Sequence, residues 1–217
     1  MSGENPFAQW DSANLGPTSI YGALPSGPSN YGLPMGFLSA PMTDQAVGAA
    51  SQMQITTFHF LSATHTVLNS TIAGPQGQKY FTIATHGVGH TMIINEQAGS
   101  TRGEAVGRIE WQKSPCVSLM GAVARQTAGQ WLHWSGDRKY RTMTARGKEY
   151  SWVFNTGMFF LYTAGNSPSE FVARIVKGQG GDGGVVSLDI TTKAVQSGLL
   201  DVCVLAAVLF VSGRNLD

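Results

Sequence analysis

The run SGLLDVCVLAAVLFVSG, from Ser197 to Gly213, decides the fold. Between Leu199 and Val211 its one charged side chain is Asp201, so no face is left for water and the segment must be surrounded by protein on every side. Val202, Val204, Val208 and Val211 would suit a central strand. The Leu-Ala-Ala-Val-Leu sequence from Leu205 to Leu209 instead favours a helix, expected over about 195–212. The apolar run is well short of the roughly 20 residues that cross a bilayer, so no transmembrane span is expected. Asp201 is costly in such a segment unless it lies in the N-terminal turn, where a structural, cap-like role is expected of it.

Something must enclose this helix, and the preceding chain has the texture to do so. From about Gln54 short β-rich runs alternate with turn residues. Twelve candidate strands cover 55–61, 64–68, 79–86, 90–96, 105–112, 116–124, 129–134, 139–145, 149–155, 158–163, 170–177 and 185–191. Turn signals such as Gly74-Pro75-Gln76-Gly77, Gly87-Val88-Gly89 and Arg146-Gly147 separate them. Eight strands close a barrel that side chains alone can fill, whereas a larger barrel has a lumen to be occupied. The expected fold is therefore all-β with one buried helix: an antiparallel barrel of about twelve strands enclosing a C-terminal apolar helix.

Residues 1–52 read as a separate segment. The first 50 residues hold six of the nine prolines and seven glycines, interleaved with single aromatics such as Phe7, Trp10, Tyr21 and Tyr31. That composition buries too little apolar area to offset the entropy of ordering, and a disordered tail is expected. The tail carries Glu4, Asp11 and Asp44 and no Lys or Arg, which leaves 14 basic against 10 acidic residues in 51–217, a net +4. The expected folded domain, 53–217, is mildly basic. Two cysteines, Cys116 and Cys203, are too few for a disulfide framework and read as free thiols. The first residues have neither a basic start nor an apolar run, so an intracellular location is expected, cytoplasmic or at a membrane surface.

Six short stretches, in order, carry a resemblance: Gly77-Gln78-Lys79-Tyr80-Phe81-Thr82-Ile83-Ala84-Thr85, Val106-Gly107-Arg108-Ile109-Glu110-Trp111, Gly147-Lys148-Glu149-Tyr150-Ser151-Trp152, Val172-Ala173-Arg174-Ile175, Ser187-Leu188-Asp189-Ile190 and Leu199-Leu200-Asp201-Val202-Cys203-Val204. Over about 55–215 the chain resembles a fungal family of small tubby-like domains. That resemblance implies the barrel-and-helix architecture shared by tubby, LURP-one-related and phospholipid scramblase proteins. Tubby domains bind phosphoinositides through a basic patch, but their lipid-contact motif does not align onto numbered positions here.

The densest basic stretch is Arg138, Lys139, Arg141, Arg146 and Lys148. These five are the candidate anion or lipid site. They lie at two ends of one predicted strand, roughly 20–25 Å apart, so they need not form one patch. Each basic residue near an acidic bilayer adds on the order of 1 kcal/mol. Nucleic acid is not expected, because no basic run interleaved with aromatics occurs. His86 and His90 copy the spacing of a helical zinc pair, but two glycines separate them and the glutamate is missing, so they read as flanking a hairpin turn. Gly178-Gln179-Gly180-Gly181-Asp182-Gly183 fits G-x-G-x-x-G but leads into a strand, which disfavours a nucleotide loop. No catalytic residues, metal or cofactor are assigned. The reading is a non-enzymatic binding or scaffold module whose partner is anionic membrane phospholipid or another protein. The alternative is an enzyme or small-ligand binder with its site at a barrel mouth.

Overall fold

A computed structural model describes residues 53–87, 89–97, 103–165, 168–178 and 184–217. The expected tail and the glycine-rich stretch 179–183 lie outside the described residues. Among the described residues there are thirteen strands: β1 Ile55–Leu61, β2 Ser70–Ala73, β3 Lys79–His86, β4 His90–Asn95, β5 Glu104–Glu110, β6 Cys116–Leu119, β7 Val123–Thr127, β8 His133–Trp134, β9 Tyr140–Ala145, β10 Lys148–Asn155, β11 Met158–Thr163, β12 Phe171–Lys177 and β13 Gly184–Thr191. Three short helices accompany them, α1 Ala128–Trp131, α2 Thr192–Gln196 and α3 Leu200–Val211.

The strands form one antiparallel sheet in the order β7-β6-β5-β4-β3-β2-β1-β13-β12-β11-β10-β9-β8. Its middle is the pairing of β1 with β13, Ile55 opposite Thr191 and Phe58 opposite Leu188. From there the chain meanders outward to the edge β7, crosses through α1 to the other edge β8, and meanders back to β13. Tight turns set the register. Arg146-Gly147 and Thr156-Gly157 each place two successive residues at positive φ, 51° and 72° in the first and 47° and 80° in the second. That is the backbone whose twist matches the flanking strands of a two-residue hairpin.

The expected closed barrel is not what the hydrogen bonds form: β7 and β8 are the two ends of an open ladder. The reason is local. Thr127 accepts the Gln130 N–H at 3.2 Å while the Gln130 side-chain oxygen accepts the Thr127 N–H at 3.3 Å. This capping box turns the expected strand 129–134 into helix and leaves two residues for β8. Two further expectations change. Residues 67–69 form a 3-10 turn capped by Thr66, so the strand expected at 64–68 begins at Ser70. The run expected at 116–124 is cut by a turn with Gly121 at φ 65°.

Alternation of apolar and polar residues sends one face of each strand into a common core. Phe58, Phe60, Ile83, Ile93, Ile109, Val117, Trp152, Leu161, Ile175 and Leu188 are all 0–2% exposed. The core's centre is α3, whose residues Val202 to Val208 have no exposure at all. Ala206 and Ala207 keep that centre narrow. α3 packs against β5 and β6 on one arm of the sheet and against β12 and β13 on the other. Leu205→Ala is expected to reduce stability by about 2–5 kcal/mol. A urea titration should show a lower midpoint with an unchanged slope.

Leu199, not Asp201, holds the N-cap position of α3, and no side chain caps it. The expected cap-like role is therefore corrected: Asp201 lies within the first turn, where burial raises its pKa and Arg146 opposes that rise. A raised carboxyl pKa means that the folded protein holds the proton more tightly than the unfolded chain. Stability from this group is complete below the unfolded value and is lost as pH rises through the folded one. Asp201→Asn should unfold at a higher temperature than the parent at about pH 7, with the gap narrowing toward about pH 4. A lower melting temperature at about pH 7 would mean that attraction to Arg146 outweighs the desolvation.

Candidate functional site

The β8–β9 turn is shaped by its own polar residues. The Ser135 N–H donates to the Tyr140 carbonyl at 2.9 Å, and the Arg138 N–H returns to the Ser135 carbonyl at 2.9 Å. The Ser135 hydroxyl donates to Asp137 Oδ1 at 2.7 Å, and Asp137 also accepts the Lys139 N–H at 3.3 Å. These bonds hold the Asp137 carboxyl below its usual range, with the Lys139 ammonium 3.3 Å away as an exposed ion pair. Arg138 stands at the crest of the turn, at φ 55°.

Beside this turn lies a groove of about 200 Å³, lined by Trp134, Arg138, Lys139, Tyr140, Arg141, Trp152, Phe154, Phe159 and Phe210. Its aromatics form a connected stack: Phe159 lies flat on Phe210 at 4.5 Å, Phe154 meets Phe159 at 4.9 Å, and Trp152 meets Phe210 edge-on at 5.4 Å. Trp152 is buried, but Trp134, Tyr140 and Phe154 are 43%, 37% and 60% exposed. Exposed aromatic area beside two cations is unlike an ordinary solvated rim.

Arg141 is a different kind of residue. It is 8% exposed, and its guanidinium donates to the Leu132 carbonyl at 2.6 Å and to both carboxylate oxygens of Asp217, at 3.1 and 2.7 Å. Its carbon ζ sits 4.1 Å from the centre of the Trp134 ring, and the Trp134 indole N–H donates to Asp217 at 3.2 Å. The pair pulls the Asp217 carboxyl below its usual range. Gly129 leaves room beneath it, since a Cβ there would lie 3.1 Å from Asp217 Oδ1 and 3.2 Å from the Leu216 carbonyl and would press on both. Arg141 therefore ties the last residues to the β8 edge and is not a free ligand contact.

Arg146 and Lys148 lie at the opposite end of β9, roughly 20 Å away. Arg146 donates to the Gly121 carbonyl at 3.1 Å and shields Asp201. Lys148 lines a second pocket, about 460 Å³, with Glu149, Tyr150, Glu170, Val172, Lys193 and Leu199 among its walls. There Lys193 pairs with Glu170 at 2.8 Å, and burial raises the Tyr150 pKa. The five basic candidates thus divide into an exposed pair at an aromatic groove, one buried strut, and two residues at the far end. The groove escaped the sequence reading because it draws on β8, β9, β10, β11 and α3. Trp134 and Phe154 near turns were the signals available for it.

Cys116 and Cys203 are both free. Cys203 is buried, which pushes its thiol pKa up, and Cys116 is partly exposed. No helix among the described residues is long and apolar enough to cross a membrane.

Fold and groove together define a class, an antiparallel thirteen-stranded sheet domain with a buried C-terminal helix and an exposed cationic-aromatic groove. The chain belongs to DUF6593, a family of unknown function whose profile matches residues 65–215. No curated protein matches it. Among solved structures it is similar to a protein from Arabidopsis thaliana at 10% identity and a TM-score of 0.38, covering 69% of this chain and 89% of that one.

If Arg141 is a strut, Arg141→Met should lower stability by about 1–2 kcal/mol, a value set by a partly exposed ion pair plus one carbonyl left unpaired. Arg138→Met should leave stability unchanged within about 0.5 kcal/mol. Thermal unfolding of the two variants side by side separates the roles.

Proposed function

We propose that the domain is a non-enzymatic binding module that contacts anionic phospholipid through the β8–β9 turn, in a tubby-like arrangement of sheet around helix. The observation that carries the reading is the coincidence of Arg138 and Lys139 with exposed Trp134, Tyr140 and Phe154 at one groove. Trp and Tyr have an apolar body and a polar edge, which suits the headgroup layer of a bilayer. Basic side chains add on the order of 1 kcal/mol each at an acidic surface. The order of the family-like motifs and the terminal apolar helix support the tubby-like, fungal assignment of the architecture. On this reading the protein works at the surface of an intracellular membrane, and a protein partner at the same groove is the competing outcome.

A second reading, a small-ligand site, is favoured by the pocket beside Lys148, whose volume of about 460 Å³ falls in the range of roughly 300–1,000 Å³ usual for ligand pockets. Its balanced walls, Lys148 and Lys193 against Glu149 and Glu170, give a charged ligand no net attraction.

The full chain should co-sediment with vesicles containing phosphatidylserine or phosphoinositide and not with phosphatidylcholine alone, and salt should weaken the binding. Reversing both charges, Arg138→Glu with Lys139→Glu and Arg141 left in place, should weaken binding by about tenfold or more. Failure to bind any acidic vesicle, or binding unchanged by the reversal, would overturn the lipid reading.

A further inference from the structure

We propose that His86 and His90 form a binding site for a transition-metal dication of the Zn²⁺ or Cu²⁺ type, on the outer face of the sheet at the β3–β4 turn. Four residues apart on a helix, two histidines would share one face; here the hairpin through Gly87 and Gly89 brings them together across two strands. His86 is the register partner of His90. Their rings are stacked, with centroids 5.3 Å apart and planes 30° from parallel. The neighbouring pair Thr85 and Thr91 points inward, Thr91 with no exposure, so the two imidazoles face outward. His86 is exposed and His90 half-buried, and among the described residues neither ring takes part in a hydrogen bond.

Imidazole nitrogens bind Zn²⁺ at about 2.0–2.1 Å, so two ligands on one tetrahedral ion lie roughly 3.3 Å apart. Directly opposed residues in an antiparallel pair have Cβ atoms about 4.5–5.5 Å apart. Small side-chain rotations of the stacked pair bring one nitrogen of each ring into that span. Imidazole suits zinc, copper and nickel and is a poor ligand for calcium or magnesium.

The cross-strand row continues into β5. Glu110 on β5 is the register partner of His90, and its carboxylate is held by Arg125 at 2.6 Å and Arg108 at 3.4 Å. Two guanidiniums against one carboxylate leave this flank net positive, so binding rests on the imidazoles, and Glu110 serves to hold the two cations back from the ion. Among the described residues no cluster of three or more His, Cys, Asp or Glu side chains stands ready for a metal. The site is therefore two imidazoles with water completing the shell.

Calorimetric titration of the full chain with zinc chloride in a non-chelating buffer tests this. One site per chain is expected, weakened about tenfold or more by His86→Ala and by His90→Ala, about threefold by Glu110→Gln, and not by Cys116→Ser. A readout that needs no variant is paramagnetic broadening by Cu²⁺ of amide signals, confined to the β3–β4 turn and the adjoining end of β5. The proposal fails if no zinc binding is detected up to about 100 μM, if binding survives both histidine variants, or if it is lost in Cys116→Ser instead.

Discussion

A helix with no polar face is the constraint on which the remaining structure depends. α3 can exist only where every side of it is covered, and its diameter of about 10–12 Å fixes how far the sheet must bend to cover it. Small residues at Ala206 and Ala207 let strands approach closely, while Leu205 and Leu209 reach farther out. The sheet answers with large inward side chains, Trp152, Phe58, Phe60 and Phe81. One short apolar segment thus sets the size of a thirteen-stranded sheet.

Where apolar runs are bounded by turn residues, the strands follow from the sequence to within a residue or two; 55–61, 79–86 and 158–163 are correct at both ends. That reading fails where local hydrogen bonding competes with the ladder. Thr127-Ala128-Gly129-Gln130 is a readable capping box, and reading it would have replaced a strand by a helical turn and opened the ring. The site is harder to read because charge alone does not distinguish roles. Arg138 and Arg141 look equivalent in a list of cations, but Asp217, the partner that makes Arg141 a strut, is 76 positions away. Nothing local to Arg141 announces that contact.

The two ends of the domain have distinct chemistry because the strands hold them apart. Toward the α3 N-terminus, Lys148 and Lys193 stand against Glu149 and Glu170 around one pocket, and Arg146 acts on the half-buried Asp201. At the other end aromatics gather around Phe210 with cations at the lip. Loop residues there, anchored on rigid strands, can vary without disturbing the core.

The pairing of β1 with β13 has a consequence for how the molecule comes into being. The hydroxyl of Thr57 donates to Asp189 across 132 positions of chain, so β1's partner β13 is made only after eleven other strands, and α3 later still. Until then β1 presents an unpaired edge and the inner face has no helix to cover it. Domains with such distant contacts fold slowly because loop closure precedes the contacts that reward it. The nascent chain must therefore hold twelve strands of apolar surface in waiting, with open edges and an uncovered inner face exposed until β13 and α3 arrive.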